Sequence, residues 1–200
     1  MAKKERVINR YDGKLSARQI TEGINAAARN AQRLYEDADI LFKAKRFPTA
    51  CSLAALSIEE SGKAPCLRGI LAAQTQNSLK DAWRLYRNHR AKNTGWIMAG
   101  LAAKGVRTLA ELAPIVDGNS DHPEVLDTVK QLGLYTDCYG DGNWSEPHDA
   151  ISESLAKQIL FVAEMLLTKR ETTEREMELW MEHVGRHWGT PEMLLGAIEF

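Results

Sequence analysis

Apolar residues that recur every three or four positions constrain this chain more than any other feature. From Ser16, which forms a capping-box pattern with Gln19, the positions Ile20, Ile24, Ala27, Ala31, Leu34, Ala38 and Leu41 keep helical register to about Lys45. The same spacing predicts a second helix from Phe47 to about Ala73, and a third from an N-cap at Ser78 to about Lys104-Gly105. A fourth runs from about Pro147 through Ile151, Leu155, Ile159, Val162 and Leu166. No strand alternation, internal repeat or low-complexity tract is visible. Four long helices with one long connection between the third and fourth predict an all-α, up-and-down helical bundle. Residues 1–15, polar and charged, are expected to form a flexible arm, residues 16–170 the bundle, and residues 171–200 a C-terminal helical extension amphipathic through Met177, Trp180, Val184 and Trp188.

Residues 106–147 differ in kind, because Pro114, Gly118, Pro123, Gly133, Gly140, Gly142 and Pro147 punctuate short apolar pieces. Short helices are expected at about Leu109–Ile115 and Glu124–Leu132. A long ordered connection in a small domain is often functional. Its last stretch, Tyr135 to Pro147, mixes turn formers with three aromatic residues. It reads equally as a turn capping the bundle, with Trp144 filling a hole and Asp137 satisfying helix N–H groups, or as a loop completing a polar pocket.

Two hundred residues, 44% hydrophobic and 26% charged, fit one ordinary globular domain with a proper core. The net charge of −1 neither requires nor excludes a nucleic-acid partner, so local clusters must decide. Cys51, Cys66 and Cys138 form no CxxC pattern and suit reduced thiols. With no apolar run long enough for a bilayer and no signal-peptide core behind Met1, the expected location is cytoplasmic, away from the membrane. No cofactor or metal is expected. Ser61-Gly62-Lys63-Ala64 lacks the upstream glycine and the following hydroxyl of a phosphate loop. The Asp137–His148 stretch lacks the third and twelfth ligands of a calcium loop. His183 and His187 have neither an intervening glutamate nor a third ligand, and His122, before a proline, suggests nothing specific.

Chemistry concentrates in two helices. In the second, Glu60 and Lys63 lie on a line with Leu53, Leu56 and Leu67, and Glu59 stands four residues before Lys63. The simplest reading is a Glu59–Lys63 i,i+4 pair with a snorkelling lysine. The third carries Lys80, Arg84, Arg87, Arg90 and Lys92 against one acid, Asp81, with His89 among them. Such a patch can hold phosphates while Trp83, Tyr86 and Trp96 stack on bases, or it is a solvated face whose aromatics point inward. An imidazole near a permanent guanidinium is the minimum set for metal-free RNA cleavage, His89 moving the proton and Arg84 stabilising phosphate charge. Five residues at about 100° each set these two side chains apart on a regular helix, so convergence needs a long reach, a bulge or a second protomer.

Taken together, Phe47-Pro-Thr-Ala, Ile58-Glu-Glu-Ser-Gly-Lys-Ala64, His89-Arg-Ala-Lys92 and Tyr135-Thr-Asp137 with Trp144 and Pro147 resemble the AbiV family of abortive-infection proteins over about residues 25–168. That family is similar to the wider HEPN class of helical domains, whose members commonly dimerise and often use an R-x4-6-H motif as a metal-independent ribonuclease. The resemblance implies a HEPN-like homodimer that blocks translation or growth during phage infection by cleaving or binding RNA (tRNA, mRNA or rRNA), once a phage-encoded protein activates it. It casts His89 as general acid and base, Arg84 and Lys92 as phosphate stabilisers, and Lys80, Arg87 and Arg90 as RNA contacts. Glu59, Glu60, Lys63, Asp137 and Trp144 then form the supporting polar network. The rival is a non-catalytic protein- or nucleotide-binding module of a defence or toxin–antitoxin system, with the same polar cluster purely structural.

Overall fold

A computed structural model of the chain describes residues 10–97, 101, 104–105 and 121–188, and its architecture is helical. Helix α1 (Ala17–Lys43) starts with the predicted capping box: the Ser16 hydroxyl accepts from the Gln19 N–H, and the Gln19 side chain accepts from the Ser16 N–H. It ends in a left-handed turn. Lys45, with φ 59°, donates its N–H to Phe42, and the Arg46 N–H reaches the Leu41 carbonyl.

Helix α2 (Phe47–Ser61) places Pro48 in its first turn, where a missing N–H is harmless. Its small residues, Ala50, Ala54, Ala55 and Ser57, let it press against α1, and the Ser57 hydroxyl donates to the Ala31 carbonyl at 2.8 Å. The predicted single helix from Phe47 to Ala73 is in fact two. Helix α3 (Lys63–Ala72) begins after a break at Gly62, because Pro65 cannot donate to the Ser61 carbonyl and its ring crowds it. The break has a second use, since a Cβ at residue 62 would overlap the Lys92 carbonyl oxygen. The polypeptide before α1 is tied down from Tyr11 onward: Lys14 Nζ donates to the carbonyls of Ile70, Leu71 and Ala73 at the end of α3, and Trp83 Nε1 donates to the Gly13 carbonyl at 3.0 Å.

The predicted third helix is also divided. Helix α4 (Gln76–Arg87) is capped by Thr75 rather than Ser78, which instead fills the third position of the capping box. Asn88, extended at ψ 121°, ends it, and α5 (His89–Asn93) runs into a 3-10 turn over Thr94–Ile97. Helix α6 (His122–Leu132) lies where a short helix is expected in the connection; the one expected at Leu109–Ile115 falls outside the described residues. A small antiparallel hairpin follows, β1 (Asp137–Tyr139) and β2 (Asn143–Ser145), with Asp137 opposite Ser145 and Gly140 and Gly142 taking positive φ in the turn. Three-residue strands are too short to show alternation, which is why the sequence did not announce them. A turn of helix, α7 (Pro147–Ala150), leads to α8 (Glu153–Leu166), capped by Ser152; α9 (Glu174–His183), under a Thr173–Glu176 capping box, is followed by a 3-10 turn at Gly185–His187. Among the described residues no helix is long and apolar enough to cross a membrane.

Two apolar cores result. One joins Ala38 of α1 and Cys51, Ala54, Ala55 and Ile58 of α2 to Leu126 of α6 and Ile159 and Ala163 of α8. The other joins Ile20 and Ile24 at the opposite end of α1 to Leu67 and Ile70 of α3, Leu79 and Trp83 of α4 and Met177 of α9. Burial pushes the Cys51 thiol up to about 12, so it serves as a small apolar filler in the first core.

Candidate functional site

The charged residues of α2, α5 and α6 meet where the two cores adjoin. Glu59 is buried, its side chain 5% exposed, at the last turn of α2. One of its oxygens, Oε1, accepts from Lys130 Nζ at 2.5 Å; the other, Oε2, lies 2.7 Å from His89 Nδ1 and 4.0 Å from Lys92 Nζ. Lys130 also binds Asp127, one turn earlier on α6, at 2.6 Å. A buried carboxylate is tolerable only with such partners, because an unpaired one carries a residual desolvation penalty of several kcal/mol. Both lysines are buried too, and their proton affinities move in opposite directions. Burial pushes Lys92 below its ordinary 10.5, Glu59 only partly opposing it and Lys63 adding to it. Burial acts on Lys130 in the same sense, but hydrogen bonds to Asp127 and Glu59 outweigh it and hold Lys130 above 10.5.

Glu59 does not pair with Lys63, as the i,i+4 reading expected. Lys63 binds Glu60 at 2.6 Å and sits 5.9 Å over the Tyr86 ring, on the flank of the cluster. Glu59 turns instead toward α5 and α6, because its helix face abuts them. The close approach of α5 follows from Gly62, whose missing side chain admits the Lys92 backbone. Cys66, one turn into α3, is near enough to feel Lys92, yet burial still raises its thiol.

The structure thus brings together Glu59, His89 and Lys92, with Glu60 and Lys63 beside them. Arg84 stands apart: its guanidinium pairs with Asp81 at 3.1 Å and is 77% exposed. Lys80 is exposed, and Arg87 is held by the Tyr11 carbonyl at 2.8 Å and the Trp83 ring at 5.1 Å. The side chain of Arg90 lies outside the described residues. Trp83 is buried, and Trp96 donates its Nε1–H to the His122 carbonyl at 2.7 Å, so both face inward rather than offering stacking platforms. Trp144 fills no hole. It is 73% exposed on the hairpin, and the Asp137 carboxylate accepts from the Cys138 N–H instead of capping a helix. Sequence reasoning missed Lys130 and Asp127. The available signal was a lysine four residues after Leu126, on the apolar line of a helix whose leucine is 1% exposed.

A histidine with Nδ1 on a buried carboxylate has a defined use. Facing an ionised carboxylate, Nδ1 is the donor to Glu59, which in the neutral ring leaves the Nε2 lone pair as the acceptor. The His89 side chain is 60% exposed, so this proton-handling group is open to solvent while its orienting partner is not.

Residues 19–168 match the HEPN_AbiV family, described as AbiV. The chain belongs to the AbiV family. Comparison with curated proteins and with solved structures returned no match. The AbiV match covers Glu59, His89, Lys92, Asp127 and Lys130, so every member of the cluster lies within it, and it makes the chain an abortive-infection protein of the HEPN type. Helix α9 lies beyond the AbiV match yet packs into the second core through Met177.

Proposed function

We propose that this AbiV-family chain is a phage-defence effector that cleaves RNA in the cytoplasm without a metal, as a homodimer released by a phage-encoded protein. The observation that supports this reading best is the Glu59–His89 pair: a buried carboxylate on Nδ1 of an exposed imidazole, which begins α5 just past the break that ends α4, the helix of Lys80, Arg84 and Arg87. His89 Nε2 takes the proton of a ribose 2′-OH, whose oxygen attacks the adjacent phosphorus. The P–O5′ bond then breaks, and the imidazolium returns the proton to the departing 5′ oxygen, leaving a cyclic phosphate. Arg84 serves as the phosphate-stabilising cation. Its pairing with Asp81 sets its charge toward solvent, a placement suited to a site completed across two protomers. Lys92, largely buried against Glu59, acts on the electrostatics of the pair rather than as a contact to RNA.

The test is expression of wild type and His89→Ala, with host growth and RNA integrity as the readouts. Arrest and cleavage are lost in the variant; a fully toxic His89→Ala with an unchanged cleavage pattern sinks the catalytic reading. A binding protein without catalysis is the second reading, favoured by the way Glu59 ties three helices together, which a structural network would also do. It predicts that purified protein shows no nuclease activity with or without the phage activator.

A further inference from the structure

Lys130 is gripped at both ends by one face of α2. Its backbone carbonyl lies 3.0 Å from the Ser52 hydroxyl, and its ammonium group 2.5 Å from Glu59 Oε1. Ser52 and Glu59 are seven residues apart, about two turns, and therefore share a face. Gly133, at the end of α6, sits so close to Ser52 and the Pro48 carbonyl that a Cβ there would collide with both. Backbone and side chain of Lys130 are thus fixed independently, and a 7%-exposed lysine held this tightly is not snorkelling.

We propose that Lys130 is the positioning residue of the His89 site: by holding one oxygen of Glu59 and compensating its charge, it aims the other oxygen at Nδ1 and leaves Nε2 as the proton acceptor. The reason is electrostatic competition. A buried carboxylate with His89 as its sole partner stabilises the imidazolium strongly, and a ring already protonated cannot take the 2′-OH proton. Lys130 shares that charge. Among the described residues, the groups around the pair are Glu59 and Glu60 from α2, Lys63 and Cys66 from α3, Lys92 from α5, and Lys130 and Asp127 from α6. Of the two buried lysines, Lys130 is in direct contact with the carboxylate while Lys92 stands off at 4.0 Å, so Lys130 carries most of the compensation.

This inference deepens the ribonuclease reading but is tested without RNA. The His89 ring is titrated by NMR in the full-length wild type, Lys130→Gln, Lys130→Arg and Asp127→Asn, with thermal unfolding as the check on folding. Lys130→Gln raises the His89 midpoint by about one pH unit, a tenfold gain in proton affinity. Lys130→Arg restores it, because the charge returns. Asp127→Asn moves it the other way, since Lys130 then gives its charge to Glu59 alone, and this variant, at a 37%-exposed side chain, keeps the inference testable if Lys130→Gln does not fold. A folded Lys130→Gln with the wild-type midpoint overturns the proposal, as does an Asp127→Asn midpoint that is unchanged or raised. If His89→Ala stays toxic while these shifts appear, the ribonuclease reading fails and the positioning role stands.

Discussion

Glu59 holds its place through opposed lysines, and that opposition makes an alkaline signature. Lys92 in the folded chain binds its proton less tightly than the ordinary 10.5, so between its folded value and 10.5 the unfolded chain carries more protons and stability rises with pH. Lys130 behaves oppositely. Its raised value means that its contribution is fully present below 10.5 and is lost as pH climbs through the folded value above it. Denaturant unfolding over about pH 8 to 12 will show Lys92→Met without the rise and Lys130→Met without the fall, each relative to wild type. A pair of variants with parallel curves would contradict the assigned environments. Little of this was legible in the sequence. Helical spacing identifies which residues share a face, so it singled out Glu60 and Lys63 and offered Lys63 as the partner of Glu59. The true partners come from α5 and α6, thirty to seventy-one residues away, and no local rule specifies them. His89 and Lys92 stand out on a basic stretch; Lys130 is marked only by its place four residues after Leu126, and nothing local ties it to a carboxylate seventy-one residues away.

Helices whose periodicity is long and unbroken, α1 above all, follow directly from the sequence, cap included. The break at Gly62 is open to the same kind of reading, since Pro65 interrupts any helix that runs into it, but the apolar spacing that continues past it hides it; the break at Asn88 has no proline or glycine beside it and is not legible locally. Gly62→Ala puts a methyl group into the Lys92 backbone, which cannot rotate away as a side chain does. It is expected to destabilise the protein by about 1–3 kcal/mol, the range for overpacking, and to displace α5 from Glu59. Urea unfolding checks the first effect and the His89 NMR midpoint the second. At the other end of α2, the turn from α1 places Lys45 at φ 59°, where a side chain is strained and glycine is at ease. Lys45→Gly should therefore stabilise by up to about 1 kcal/mol, visible as a raised urea midpoint at constant slope; a lowered midpoint would mean that the exposed lysine makes a contact outweighing the strain.

At the scale of the molecule, the region beyond the family match does not stand off as a separate appendage in its described part. Asn25 on α1 exchanges two 2.9 Å hydrogen bonds with the Thr172 backbone, Met177 is 2% exposed, and the Trp180 and Trp188 rings lie 5.3 Å apart. Met177→Ala should cost about 2–5 kcal/mol, as for other fully buried apolar truncations, whereas Trp144→Ala on the exposed hairpin should stay within about 0.5 kcal/mol. Equal effects in thermal unfolding would refute that contrast. The same arrangement decides where the backbone gives way first. Helix α1, 27 residues long, lends one end to each core, so its central amides open only when both cores are lost and will be the last to exchange with deuterated water. Helix α5 has five residues and lies between the cores. Its amides should exchange long before those of α1, which sets His89 on a segment that can move while the rest of the protein stays folded.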